Sequence, residues 1–209
     1  IADKKTYKAL ASWGAYFEFA VFVDGEDDVA RSFCIMAAVA LNGAKSFYED
    51  KHDKGAFVKN IITDNILPGD IYIRAKELHF VTDVPRAVFL VRQVGRADVA
   101  TVDLLLKMFS EKQQDFVLSI NETDIAVIKQ VDPGTDNSQL MEIAQQMEEA
   151  IRTELLIKTT IGVGTIAGHL RELADVYKEA QVAIEVGKVF DTEKSIIHYE
   201  NLGIGRLIY

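Results

Sequence analysis

Asp115-Phe116-Val117-Leu118-Ser119-Ile120-Asn121-Glu122-Thr123-Asp124-Ile125-Ala126-Val127-Ile128-Lys129-Gln130-Val131 sets two apolar, β-branched runs on either side of a short polar turn. This pattern is a hairpin, with strands over 115–121 and 124–131 that turn on Asn121 to Asp124. Asn and Asp suit the turn because their short side chains bond nearby backbone and tolerate left-handed angles. Pro133-Gly134 closes the second strand. Working outward, the spacing predicts a strand over 86–94 and a helix over 98–110 on one side. On the other it predicts a helix over 138–156, a strand over 158–165, a helix over 169–190 and a strand over 195–200. A hairpin flanked by crossover helices implies an α/β (α+β) fold, a mixed sheet with helices packed on it.

The N-terminal part is organised differently. Residues Tyr16 to Val23 alternate, with Phe17, Phe19, Val21 and Val23 on one face, and read as a strand that ends at Asp24-Gly25. Asp27 or Asp28 can cap a helix running to about Glu49, with Val29, Phe33, Met36, Ala37, Ala40 and Leu41 on an apolar stripe. The polar cluster from Glu49 to Gly55 interrupts that stripe, and helical spacing resumes at Phe57, Val58, Ile61, Ile62 and Ile66. Joined through Gly55, the two stretches would make a rod over 27–66 of roughly 60 Å. Pro68-Gly69 ends it, and Asp70 is placed to cap a short helix over 71–79. The expected organisation is the C-terminal part of a sensor domain at 1–50, a helical linker at 51–82 and the α/β domain at 83–209.

Composition narrows the classes. The chain has 209 residues, 49% of them hydrophobic, enough for one ordinary domain plus a smaller piece. Its apolar runs, such as Cys34 to Leu41, fall short of the roughly 20 residues a membrane-spanning helix needs, so no membrane partner is expected. Thirty-two acidic against 23 basic residues give a net charge of −9 with no dense Lys/Arg block, and phosphate backbones repel such a surface. The single cysteine, Cys34, lies inside an apolar run, which excludes a disulfide framework and suits a buried thiol in the reducing cytoplasm. The opening Ile1-Ala2-Asp3-Lys4 carries no signal pattern, and the apolar ending Leu207-Ile208-Tyr209 suggests a fragment.

Thr160-Ile161-Gly162-Val163-Gly164-Thr165, followed by Leu173-Ala174-Asp175-Val176-Tyr177-Lys178-Glu179-Ala180 and Val182-Ala183-Ile184, resembles a strand and helix of the GGDEF domain of nucleotide cyclases. The resemblance covers about residues 83–200. Gly162 and Gly164 permit close backbone approach, and Ala174, Ala180 and Ala183 let the helix lie near the sheet. Asp64-Asn65-Ile66-Leu67-Pro68-Gly69-Asp70, Val186-Gly187-Lys188-Val189-Phe190 and the stretch from Tyr199 to Tyr209 more specifically resemble the degenerate version in PucR- and CdaR-type transcription regulators. That resemblance implies the regulatory part of a bacterial, cytoplasmic homodimer. A sensor and linker helix would precede it, and a small-molecule effector would act on it. A helix-turn-helix beyond Tyr209 would make the only contact with DNA.

The cyclase chemistry can be tested position by position. Such an enzyme needs two carboxylates for two divalent metals, one at the end of the first strand and one in the hairpin, and glycines that let the loop approach guanine. Here the first strand reads Val88-Phe89-Leu90-Val91-Arg92-Gln93-Val94, placing Arg92 or Gln93 where the acid should be. In the degenerate hairpin Asn121-Glu122-Thr123-Asp124-Ile125, Asn121 and Glu122 replace the glycines, Thr123 and Asp124 replace the acidic pair, and only Asp124 keeps a charge there. No catalytic residue, no metal ligand and no cofactor are therefore expected. The alternatives are a GGDEF-like domain that binds a nucleotide or metabolite without catalysis and, behind it, an active cyclase.

Other features have plain readings. Glu122 and Asp124 are solvated turn formers before they are a metal site. His52, His79, His169 and His198 lack ligand spacing, and His169 belongs at a helix start. Gly162-x-Gly164 lacks the third glycine and the basic residue of a phosphate loop. Trp13, Tyr16, Phe17, Phe19 and Phe22 read as core ahead of a ligand pocket. The stripe of Phe33, Met36 and Ala40 can pair with a second chain or pack within its own, since a helix stripe alone does not name its partner.

Overall fold

The computed structural model describes residues 4–10, 19–94, 99–109, 114–190 and 194–207. Two units divide the chain, Ile1–Asp53 and Lys54–Tyr209.

In the first unit, strand β1 (Lys5–Ala9) pairs antiparallel with β2 (Ala20–Asp24), setting Tyr7 opposite Phe22. The strand expected over 16–23 is thus β2, displaced toward the turn, and its partner β1 was not expected; Trp13, Tyr16 and Phe17 lie outside the described residues. Phe19 and Phe22 are exposed, contrary to a core role. Asp27 caps helix α1 (Asp28–Ile62) by accepting from the Ala30 amide at 2.7 Å. Ala30, Cys34 and Ala38 form the buried face of this part of α1, and the Cys34 thiol donates to the Thr6 carbonyl at 3.4 Å.

The two helical stretches join through Gly55 into one helix, as the rod over 27–66 required. Helix α1 runs through the polar cluster without a break, because every residue there but Gly55 is an acceptable helix former, and Lys45 and Glu49 pair at 3.8 Å one turn apart. Gly55 is buried, and a Cβ on it would stand 3.5 Å from Leu118, an ordinary van der Waals contact. The helix ends at Ile62 instead of 66. Asp70 precedes helix α2 (Ile71–Glu77), but its side chain makes no capping bond and its backbone is already helical.

The second unit is built on β3 (Arg86–Gln93). Its run from Ala87 to Val91 is wholly buried and alternates between layers, as period-two side chains must: Val88 and Leu90 enter one core, Ala87, Phe89 and Val91 the other. The sheet order is β4 (Phe116–Ser119), β5 (Asp124–Gln130), β3, β6 (Thr159–Ala167), β7 (Ile196–His198). β3 is antiparallel to both neighbours, and β6 and β7 are parallel, so the sheet is mixed as expected.

One face carries the end of α1, α2 and α5 (Leu173–Phe190). Phe57, Val58, Ile61, Ile62, Ile71 and Ala75, from the stretch expected as a linker, are buried in that layer. Each such large side chain contributes about 1.5–3 kcal/mol by leaving water. The other face carries α3 (Val99–Met108) and α4 (Asn137–Ala150), whose start is fixed by a capping box between Asp136 and Gln139.

Where one helix over 138–156 was expected, α4 passes into a π-helical turn at Ile151–Leu155 and stops at Leu156. Leu156 has φ 58° and is 87% exposed. A left-handed non-glycine costs roughly 1–2 kcal/mol, and Asn tolerates the conformation better. Leu156→Asn should therefore raise stability by about 1 kcal/mol, read as a shift of roughly 2–4 °C in melting temperature; an unchanged or lowered value would show that the side chain has a role at the surface. The last strand is shorter than the expected 195–200, and Tyr199–Leu207 is 3-10 helix kinked at Gly203.

Candidate functional site

The C-terminal end of β3 and the β4–β5 turn meet because register sets Arg92 opposite Asp124. The turn is held by a side chain. Asn121 Oδ1 accepts from the amides of Thr123 (2.8 Å) and Asp124 (2.9 Å) and from the Thr123 hydroxyl (3.1 Å), while the Ile120 amide donates to the Asp124 carbonyl at 2.9 Å. None of residues 121–124 has a positive φ, so the expected use of left-handed angles is corrected: Asn121 serves through its amide, as an Asx turn. Glu122 is exposed at the tip, Thr123 is half-buried, and Ile125 is buried in the core layer beside α3 and α4.

Arg92 and Asp124 make a two-point ion pair, Nε to Oδ1 at 2.8 Å and Nη2 to Oδ2 at 2.9 Å. The remaining edge of the guanidinium, Nη1, donates to Glu185 Oε1 from α5. Asn121 Nδ2 adds a bond to Asp124 Oδ2 at 3.2 Å, and the Thr123 hydroxyl one to Oδ1 at 3.1 Å. The Asp124 side chain is only 5% exposed. Burial pushes its carboxyl up, but the hydrogen bond from Arg92, that from Asn121, the Arg92 charge and the Thr123 hydroxyl together hold it below the usual carboxylate range. Arg92 is pushed up, first by its bond to Asp124 and then, against burial, by Glu185. Burial, followed by the Asp124 charge, raises the nearby Tyr177 phenol.

The neighbouring Gln93 is equally committed. Its backbone amide donates to the Thr123 carbonyl at 3.0 Å, and its side-chain amide to Thr101 of α3 at 2.5 Å. Where two acids would have to face two metal ions, the hairpin acid Asp124 and Glu185 of α5 both face a guanidinium. A divalent ion there would compete with a fixed positive charge at hydrogen-bond distance. Among the described residues no group of three or more His, Cys, Asp or Glu is placed to hold a metal ion. The histidines stay apart: His169 starts the 3-10 turn before α5 and meets Asp83 at 3.2 Å, and His198 is buried on β7.

Gly162 and Gly164 lie inside β6 beneath α5. A Cβ at Gly162 would stand 2.1 Å from the Ala180 carbonyl oxygen, and one at Gly164 2.4 Å from that of Val176. The helix fills the space a phosphate would need. Glu185 was not foreseen. It lies 93 residues from Arg92 and follows the buried Ile184 on a helix whose pattern reports only which face meets the sheet.

A family model described as the GGDEF-like domain matches residues 63–186, more than half of the chain. The chain belongs to the GGDEF-like domain family. The match begins at the residue after α1 ends and takes in α2, whose Ile71 and Ala75 are packed in the core of this GGDEF-like domain. No curated protein matches the chain. No described helix is long and apolar enough to cross a membrane.

Proposed function

We propose that this chain is the regulatory and dimerisation region of a bacterial PucR/CdaR-like transcription factor, passing an effector signal to a DNA-binding domain outside these residues. The observation that carries the non-catalytic part is the Arg92–Asp124 pair, which neutralises the one carboxylate of the hairpin turn that meets β3. A domain that keeps this sheet and hairpin while pairing Asp124 with Arg92 offers a surface and a shape, not metal-assisted phosphoryl transfer. The resemblance of the Asp64–Asp70, Val186–Phe190 and Tyr199–Tyr209 stretches to PucR- and CdaR-type regulators supports the regulatory part. In such a protein two subunits address two half-sites, and the sensor acts by altering their relative placement.

The test has two arms. The chain incubated with GTP and Mg²⁺ or Mn²⁺ should yield no cyclic product, and GTP or cyclic dinucleotides should leave its melting temperature unmoved; turnover, or a nucleotide-dependent rise by mass action, would overturn the non-catalytic or the nucleotide-free reading respectively. The longer reading frame should contain a helix-turn-helix beyond Tyr209 and retard operator-containing DNA. A frame without one would remove the transcription-factor assignment and leave the domain family in place.

A further inference from the structure

We propose that His198 is a proton-operated clasp: while its ring is neutral it holds the segment Tyr199–Leu207 against the second unit, and on protonation it releases that segment. The residue is 1% exposed on β7, the edge strand that runs parallel to β6 and sets His198 beside Val163. Its Nδ1 accepts from the Glu200 amide at 3.1 Å, across the junction between strand and 3-10 helix. A backbone amide can only donate, so Nδ1 must be bare and the proton of the neutral ring must sit on Nε2. Among the described residues Nε2 has no hydrogen-bond partner.

A ring kept only for packing would do better without nitrogens, since a buried donor with no acceptor carries a cost that a phenyl ring avoids. What the imidazole adds is an acceptor that a proton can cancel. Once protonated, Nδ1 turns a hydrogen toward the Glu200 amide, two donors face each other, and a charge is left in a buried place.

Burial pushes the ring below its ordinary value of 6.5, against weaker upward pulls from the Glu200 and Glu179 carboxylates. Glu200 belongs to the clasped segment itself, and Glu179 to α5, where its Oε2 accepts from the Thr165 amide at 2.8 Å. The other elements packed on β7 bring neutral groups: β6 the register partner Val163, and α4 Asn137, which donates to the Glu200 carboxylate. With the clasped state holding the lowered value, the clasp is complete above 6.5 and is lost as pH falls through that lower value. On the regulatory reading above, the released segment is the one that leads toward the DNA-binding domain; the clasp itself does not depend on that reading.

Hydrogen exchange of the 209-residue chain, corrected for the intrinsic rate at each pH, tests this. Protection of the Glu200 amide should fall by about fivefold or more between about pH 7.5 and about pH 5, the factor that loss of one net hydrogen bond gives, while the amides of β3 and β5 keep theirs. His198→Asn puts an amide oxygen near the place of Nδ1, and no proton cancels it in this range, so its protection should stay level. Nitrogen NMR shifts of the parent ring need no variant and should place the proton on Nε2 at neutral pH. Level protection in the parent, a fall in His198→Asn equal to the parent's, or a proton on Nδ1 at neutral pH would overturn the clasp. In each case the regulator assignment would stand, since the reading frame and DNA retardation test it separately.

Discussion

Gly162→Val should unfold the second unit or lower its stability by at least about 3 kcal/mol, the upper range for forced overpacking. The added Cβ would lie 2.1 Å from the Ala180 carbonyl oxygen and 2.8 Å from Ile184 Cγ1. The first of these is helix backbone, and it cannot yield unless α5 lifts off β6. Even Gly162→Ala carries that Cβ, so it should share most of the loss, as should Gly164→Ala through the Val176 carbonyl at 2.4 Å. Gly69→Ala is the control, because nothing stands within 4 Å of its Cβ. Urea midpoints followed by circular dichroism decide the matter: a Gly162→Ala midpoint equal to that of Gly69→Ala would show that α5 does not rest on the strand as described.

The second large effect is expected from Arg92→Met, which keeps length but removes the charge shared by Asp124 and Glu185. Breaking a buried pair costs about 3–5 kcal/mol; with Arg92 20% and Glu185 37% exposed, a loss of about 2–3 kcal/mol is expected after allowing for solvent screening. Its pH dependence separates this from lost packing. In the parent the Asp124 carboxyl sits below its ordinary value of 3.8, so its contribution is complete above that value and is lost as pH falls through the lower folded one. In Arg92→Met the chief lowering influences are gone and burial pushes the carboxyl up. The folded state then binds the proton more readily than the unfolded chain, and acid relieves the penalty. The gap between parent and variant should therefore narrow as pH is lowered from neutrality toward 4. A gap that stays constant would mean that the guanidinium acts as filler. Adding Asp124→Asn to the variant should recover part of the loss, because the stranded charge is then removed as well.

Much of the sheet was legible because its signals are local. Val88 to Val91 and Ile125 to Ile128 are apolar in unbroken runs, and a strand buried on both faces has no other way to read. The closeness of α5 to β6 was legible too, since Gly162, Gly164 and Ala180 are too small to have been placed there for their own packing.

What the sequence hid was non-local. Helix α1 does cross 49–55, as the rod through Gly55 would, but its end at Ile62 and not 66 was hidden, because the apolar spacing continues past the last helical residue to Ile66. β1, from Lys5 to Ala9, has one apolar residue of large size and no alternation to betray it. Asp70 has the chemistry of a cap, but its backbone is already turned into the helix and its carboxylate is not offered to the amides. At the site, Arg92 and Asp124 could be named from position alone, but their bond depended on register, and Glu185 depended on where a distant helix comes to rest.

The Arg92 triad also fixes the order in which mutations could ever lead from this chain toward a two-metal site. An acid placed first at position 92 would gather three carboxylates around one point with no cation among them, and such a protein would struggle to fold before any ion arrived. Removing Asp124 first forfeits the hairpin acid such a site would need. Each of these single changes leaves a charge at the site without its partner, and a positive group recruited beforehand would offset that cost. A guanidinium shared by two acids thus behaves as a ratchet tooth: easy to slide past in one direction, and braced against return by the charges it holds apart.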